Sequence, residues 1–410
     1  MDVTANSPQP AVTGRPILAE KVAWLLFCAT SLQLAFLHPS IILLPGERTN
    51  LFSGLLCALS LAATAWAAGK AQLLRSRKQL TICLILAALL LLSAFHSVLP
   101  WPNFWRGLVL LSSGLGGFWG ARILLATEAK QRLFLRLCLW MLSGILLVML
   151  SAYLIKGSIT MVLDPNQHPL VTRVLLLWVA PLTLLWGKPR QKIGGAVLIG
   201  LSYLMFVLMG FMRAAVLLPL IMAVLAVFWG GLRLKHFLLI LLASGVILVY
   251  FISHLPPLKT GKEFEPAYYR LENYCFSWHI AAKHPLLGIG LITPRNEFLQ
   301  DYNIKYPYVT EEQFSSSLSK IIVADNMFLT FMVGAGFPFL ILYCFSLIMP
   351  LTRLVGSIGT ASPGAAIPRL ALLLPLSAGV LSLFIYDTLL HPQVCWFFHI
   401  LLGLIPGRRE

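Results

Sequence analysis

Long apolar runs separated by short polar ones organise most of this chain. A membrane-crossing helix needs roughly 20 mostly apolar residues, and twelve segments approach that pattern: 20–37, 51–68, 79–95, 105–121, 137–155, 172–187, 193–211, 214–230, 237–254, 325–349, 370–390 and 393–406. The pattern predicts an all-α polytopic membrane protein with about 12 transmembrane helices. One stretch departs from it. Residues 255–324 hold seven of the 15 acidic residues, seven basic residues and six tyrosines. A structureless loop of about 70 residues is unusual, and within it 267–283 (AYYRLENYCFSWHIAAK) has helical spacing. Leu271, Tyr274, Cys275, Trp278 and Ala282 fall on one face, which predicts an amphipathic helix on the outer membrane surface. Pro285 should end it, with LLGIG as a flexible turn. The chain thus divides into a bundle of about nine helices at 1–254, a loop region at 255–324 and about three further helices at 325–410.

Composition agrees with a membrane protein. Hydrophobic residues make up 58% of the 410 and charged residues only 11%, whereas soluble domains carry about 25% charged residues. That excludes a disordered chain, a coiled coil, a secreted disulfide scaffold and an ordinary cytosolic enzyme. A net charge of +16 would suggest a nucleic-acid partner in a soluble protein. Here the cations follow the apolar segments instead. If the N-terminus is cytoplasmic, the inner segments hold 19 of the 31 basic residues and the short outer ones only five. This asymmetry places both termini in the cytoplasm and 255–324 outside, with no nucleic acid expected. The first apolar segment reads as a signal anchor. Of seven cysteines, six lie in or beside apolar segments, so no disulfide framework is expected. There is no P-loop, Rossmann glycine pattern or DxD motif, and nothing points to a nucleotide-activated substrate or a cofactor.

The candidate chemistry gathers at the outer face. Arg213 follows Gly210-Phe211-Met212 at an outer hairpin. Its bland reading is a snorkelling side chain, but ionisable groups at such places default to function. Arg270 is either functional or a solvated residue of the amphipathic helix. Asp325, beside Asn326, opens the apolar segment after the loop and serves either as chemistry or as a helix N-cap. Arg48, Arg106 and Arg173 also sit at outer ends and are expected at the interface. His279 and His284 lack convincing metal-ligand spacing, and no metal site is expected.

Three local matches give this arrangement a family likeness. FMRAAVLLPLI (211–221), YRLENYCFSWHIAAKHPLLGIG (269–290) and ADNMFLTFMVGAGF (324–337) resemble motifs of the bacterial O-antigen ligase and O-antigen polymerase superfamily. The middle one contains that family's HPL-x-G-x-G hallmark. The resemblance implies en bloc transfer of a polysaccharide from undecaprenyl diphosphate to a sugar hydroxyl, on the periplasmic face of the bacterial inner membrane. In a ligase the acceptor is lipid A-core; in a polymerase it is another lipid-linked repeat. It implies catalytic roles for Arg213, Arg270 and Asp325, and substrate contacts from Arg213, Arg270, His284, Gly288, Gly290 and Asn326. It implies no cofactor and no metal. The family usually has His where this chain has Asp325, so either Asp325 takes over as base or this member performs a related transfer. Physical requirements point the same way. A departing diphosphate needs fixed cations, which arginine forks supply bidentately, and an acceptor hydroxyl needs a base within reach. A transporter is the competing reading, but transporters show two related halves with polar groups near the midplane, which this chain lacks. A non-catalytic envelope subunit is a third.

Overall fold

In a computed structural model, the structure describes residues 17–36, 41–44, 47–74, 77–156, 265–306, 309–318, 324, 326–359 and 388–405, with scattered residues in 190–201 and 369–384. Five long helices come first: α1 (Ile17–Phe36), α2 (Leu51–Leu74), α3 (Arg77–His96), α4 (Pro100–Leu124) and α5 (Glu128–Lys156). They coincide with the first five apolar segments. Between α1 and α2 a small hairpin pairs β1 (Ile41–Leu44) with β2 (Glu47–Thr49), antiparallel, with Ile41 opposite Thr49. It is the one departure from the all-α expectation among the described residues. Then follow α6 (Glu265–Lys283), α7 (Glu311–Leu318), α8 (Met327–Gly359) and α9 (Pro392–Gly403).

Six of these helices (α1 to α5 and α8) are long and apolar enough to cross a membrane. The segments expected at 172–187, 193–211, 214–230 and 237–254 lie largely or wholly outside the described residues, and the one at 370–390 is described only in part. The last expected span, 393–406, forms a helix of 12 residues. At 1.5 Å per residue that is about 18 Å, short of a hydrocarbon core about 30 Å thick. Nearly every residue of α9 is buried, as its apolar character on all sides requires. It packs against α4, whose glycines let it come close. A methyl group on Gly117 would collide with the Trp396 carbonyl, and one on Gly120 with the Phe27 ring of α1. Such small-residue contacts drive helix association where lipid removes the hydrophobic difference. The Trp396 indole N–H donates to Ser31 Oγ at 3.0 Å, tying α9 to α1. At the end of α1 that bears Glu20, Lys130 of α5 pairs with this residue.

Apolar burial forms two clusters. The larger runs through α1 to α5, α8 and α9. The smaller joins Phe276 and Ile280 of α6, Ile289, Leu299, Tyr302, Phe314 of α7, and Met332 and Val333 of α8. Residues from the polar stretch therefore build a core of their own and share it with the first turns of α8.

Candidate functional site

The site is built on a break in α8. Gly336 has φ +83°, and Pro338 follows it inside the helix. In an unbroken helix Phe337 N–H would donate to the Val333 carbonyl and residue 338 to that of Gly334. Proline has no N–H to give, and Phe337 N–H turns instead to the Pro285 carbonyl at 2.9 Å. Two carbonyls are thereby left without their helical donors, and buried backbone groups must find partners. They find them in the segment after α6. Ile289 N–H donates to Val333 O and Gly290 N–H to Gly334 O, each at 2.9 Å, and the Ser93 hydroxyl of α3 adds a second bond to Gly334 O. The HPLLGIG segment and the VGAGF segment thus form one backbone seam.

Glycine is required on both sides of the seam. Gly288 and Gly290 have φ +65° and +96°, a region that disfavours residues with a Cβ. A methyl on Gly288 would strike the Val333 carbonyl, and one on Gly336 the Leu286 carbonyl. The expectation of a flexible turn at LLGIG is therefore corrected: the Gly288 amide is held by the His284 carbonyl, and the Ile289 and Gly290 amides are spent on α8. Asn103 in the first turn of α4 fixes the other side. Buried, it accepts from Ile292 N–H at 2.8 Å and donates to Thr293 Oγ1, Ser97 Oγ and the Leu99 carbonyl.

Helix α6 follows the amphipathic pattern. Trp278 and Leu271 are exposed, 58% and 42%, on the face assigned to the membrane surface. Glu272, Asn273, Phe276, Ser277 and Ile280 point the other way and are buried. The helix ends at Lys283, just before His284-Pro285, because a residue preceding proline disfavours helical backbone. Arg270 lies half-buried on this helix. Two residues on, the Glu272 carboxylate accepts from Tyr302 OH, from Lys305 N–H at 3.0 Å and from Tyr306 N–H at 2.9 Å. Burial, and then the Glu272 carboxylate, push the Tyr302 phenol far above its ordinary range, so it remains a donor. Glu272→Gln would turn an N–H toward donors that need an acceptor. It should raise amide exchange of Lys305 and Tyr306 by about 30- to 150-fold, for a loss of roughly 2–3 kcal/mol, and leave α4 unaltered. Hydrogen exchange by mass spectrometry checks this; unchanged exchange at 302–306 would show that Glu272 does not hold the loop.

Arg295, among the largest fully buried side chains, donates to Asn273 Oδ1 at 3.2 Å and Ser277 Oγ at 3.0 Å. The His284 ring meets Phe298 edge-on, 5.4 Å between centroids. Desolvation, together with His96 and Lys283 nearby, holds its pKa below the ordinary histidine value, so it is neutral at neutral pH. Asn326 is the N-cap of α8: its Oδ1 accepts from Phe328 and Leu329 N–H at 3.0 and 3.1 Å. Asp325 and Arg213 both lie outside the described residues. Arg106, expected at the interface, is instead 7% exposed, because the glycine-rich α4 is packed on most sides.

Of the expected site residues, the structure brings Gly288 and Gly290 onto α8, the helix that Asn326 caps, with Arg270 on α6 and His284 just past its end against Phe298. The sequence reading missed Asn103, Arg295 and the structural part played by Glu272. Below the seam, an apolar cavity of about 120 Å³ opens between α3, α4, α8 and α9, lined by Leu86, Leu110, Phe331, Tyr343, Met349 and His399 among others.

Among the described residues, six helices long and apolar enough to cross a membrane and an amphipathic helix sewn into a broken one mark a multi-pass membrane protein. Residues 176–344 match the family model described as O-antigen ligase. The match includes all three sequence motifs and supports the O-antigen ligase and polymerase superfamily, whose members are glycosyltransferase-like enzymes. No curated protein matches the chain.

Proposed function

We infer that this protein is an O-antigen ligase-type glycosyltransferase that moves a polysaccharide en bloc from undecaprenyl diphosphate to a sugar hydroxyl of lipid A-core, at the periplasmic face of the bacterial inner membrane. The observation that carries this reading is the family match across 176–344, which contains the seam and Arg270. In the transfer, the bond between the anomeric carbon and the diphosphate oxygen breaks, and its electron pair leaves with undecaprenyl diphosphate. The acceptor oxygen bonds to the anomeric carbon and its proton passes to Asp325. Arg270 and Arg213 hold the diphosphate while charge develops on it, which is where fixed donors act most strongly. The polyprenyl tail lies between apolar helices.

The test is a purified-protein assay with a polyprenyl-diphosphate-linked glycan and both kinds of acceptor. Extension of lipid A-core is expected, and it should persist in chelator because the arginines supply the charge. Extension of lipid-linked repeats alone would make the protein a polymerase, and translocation without transfer would make it a transporter. The side of the membrane has its own expected result. From the charge asymmetry, cysteines placed at Lys262 and Arg408 should label from opposite sides, Lys262 from the periplasm. Labelling of both from one side would overturn the orientation and the assigned side of the site.

A further inference from the structure

A second opening lies beyond the seam, on the polar stretch itself. Residues 302–306, Val309 and the start of α7 at Glu311 enclose an open cleft of about 500 Å³. Its floor is fixed, because Glu272 holds the Tyr302 hydroxyl and the Lys305 and Tyr306 amides. Those bonds engage the Tyr302 hydroxyl and the Lys305 and Tyr306 backbone amides and leave the Lys305 side chain out of the floor. Asn303, Lys305 and Glu311 are exposed, and Tyr306 is half-buried. Among the described residues the Asn303, Lys305 and Glu311 side chains make no hydrogen bond or ion pair.

The composition of this cleft selects a ligand class. A phosphate would call for clustered cations, and Glu311 opposes it. A divalent cation wants six or more oxygen ligands, and the cleft has one carboxylate. A lipid chain wants apolar walls, whereas polar groups dominate these. An amide, a cation, a carboxylate and a tyrosine ring together match a sugar. Its hydroxyls both donate and accept, and its C–H face packs on an aromatic ring that has a polar edge. We propose that the Asn303–Lys305–Tyr306–Glu311 cleft is a saccharide-binding subsite that holds the glycan outside the membrane. This deepens the transferase reading and rests on it. Glu272 and Arg270 share one turn of α6, about 3 Å apart along its axis. The residue that anchors the cleft floor is thus tied to the turn that carries the proposed diphosphate clamp. A pre-fixed floor lowers the cost of ordering a bound glycan.

The probe is polysaccharide released by mild acid from the producing strain's own surface glycolipid, free of lipid. Its binding to the purified full chain is measured by saturation-transfer NMR and calorimetry. Asn303→Ala combined with Glu311→Ala should weaken binding about tenfold or more, and Lys305→Ala, which keeps its backbone N–H, should do the same. Glu297→Ala, exposed elsewhere on the same stretch, should bind as wild type. Arg270→Ala should bind the lipid-free glycan normally while failing to transfer it. Wild-type-like binding by the cleft variants would overturn the proposal, as would wild-type protein that fails to bind at about 1 mM glycan. Normal transfer by Arg270→Ala would overturn the transferase mechanism instead, so the two failures are distinct.

Discussion

Arg270→Ala should lower transfer by about 10²–10³ in kcat, the loss typical of removing one fixed donor from a developing anion. Arg213→Ala should cost about as much. The double variant should cost less than the product of the two, because residues acting on one group are not additive. Arg270→Lys should recover little, since an ammonium cannot reproduce the planar two-point fork. Arg270 lies half-buried on a helix whose packed face is formed by Glu272, Phe276 and Ile280. Membrane insertion and detergent-extracted yield should therefore match wild type. Transfer is read as glycan-bearing acceptor on gels, from reconstituted protein at saturating donor. Near-normal rates in both alanine variants would leave the diphosphate clamp without support.

Gly336→Ala should destabilise the protein by more than about 3 kcal/mol. A residue with a Cβ at positive φ costs roughly 1–2 kcal/mol, and here the added methyl would meet the Leu286 backbone, which cannot rotate away. Relief requires the seam to part, leaving buried carbonyls unpaired at about 1–3 kcal/mol each. Gly288→Ala should behave alike, because its methyl would meet the Val333 carbonyl. Gly356 lies on the same helix with open space around it and no positive φ. Gly356→Ala should be neutral or stabilise by up to about 1 kcal/mol through helix propensity. Thermal unfolding in detergent would show the first two well below wild type and the third level with it. A Gly336→Ala protein as stable as Gly356→Ala would mean that the seam does not hold these segments together.

Periodicity carried the reading as far as single elements. Apolar run length located α1, α3 and the starts of α2 and α8 within a few residues, whereas α5 begins at Glu128, well before the expected 137, and the spacing of Leu271, Tyr274 and Trp278 identified the outward face of α6. The glycines and proline of GAGFP were visible, but apolar content alone reads across them as one straight span. What the break does depends on 285–290, more than forty residues earlier, and no local pattern names that partner. Asn103 was invisible for the same reason, lying about 190 positions from the loop it fixes. Glu272 counted among the loop's charges, yet its burial follows from packing against Tyr302 and the 305–306 backbone. Arg106 shows the opposite error: its place at a span end suggested a wet side chain, and only the close packing of α4 reveals otherwise.

The break in α8 also bears on how the chain is made. A helix entering a bilayer normally carries its hydrogen bonds with it, since lipid offers none. This one arrives two donors short, at Val333 and Gly334. The amides that complete it belong to residues 289 and 290 and the added hydroxyl to Ser93, all synthesised before α8 begins. The chain thus supplies the missing donors ahead of the helix that needs them, and α8 can close its ladder as it inserts instead of waiting for later segments.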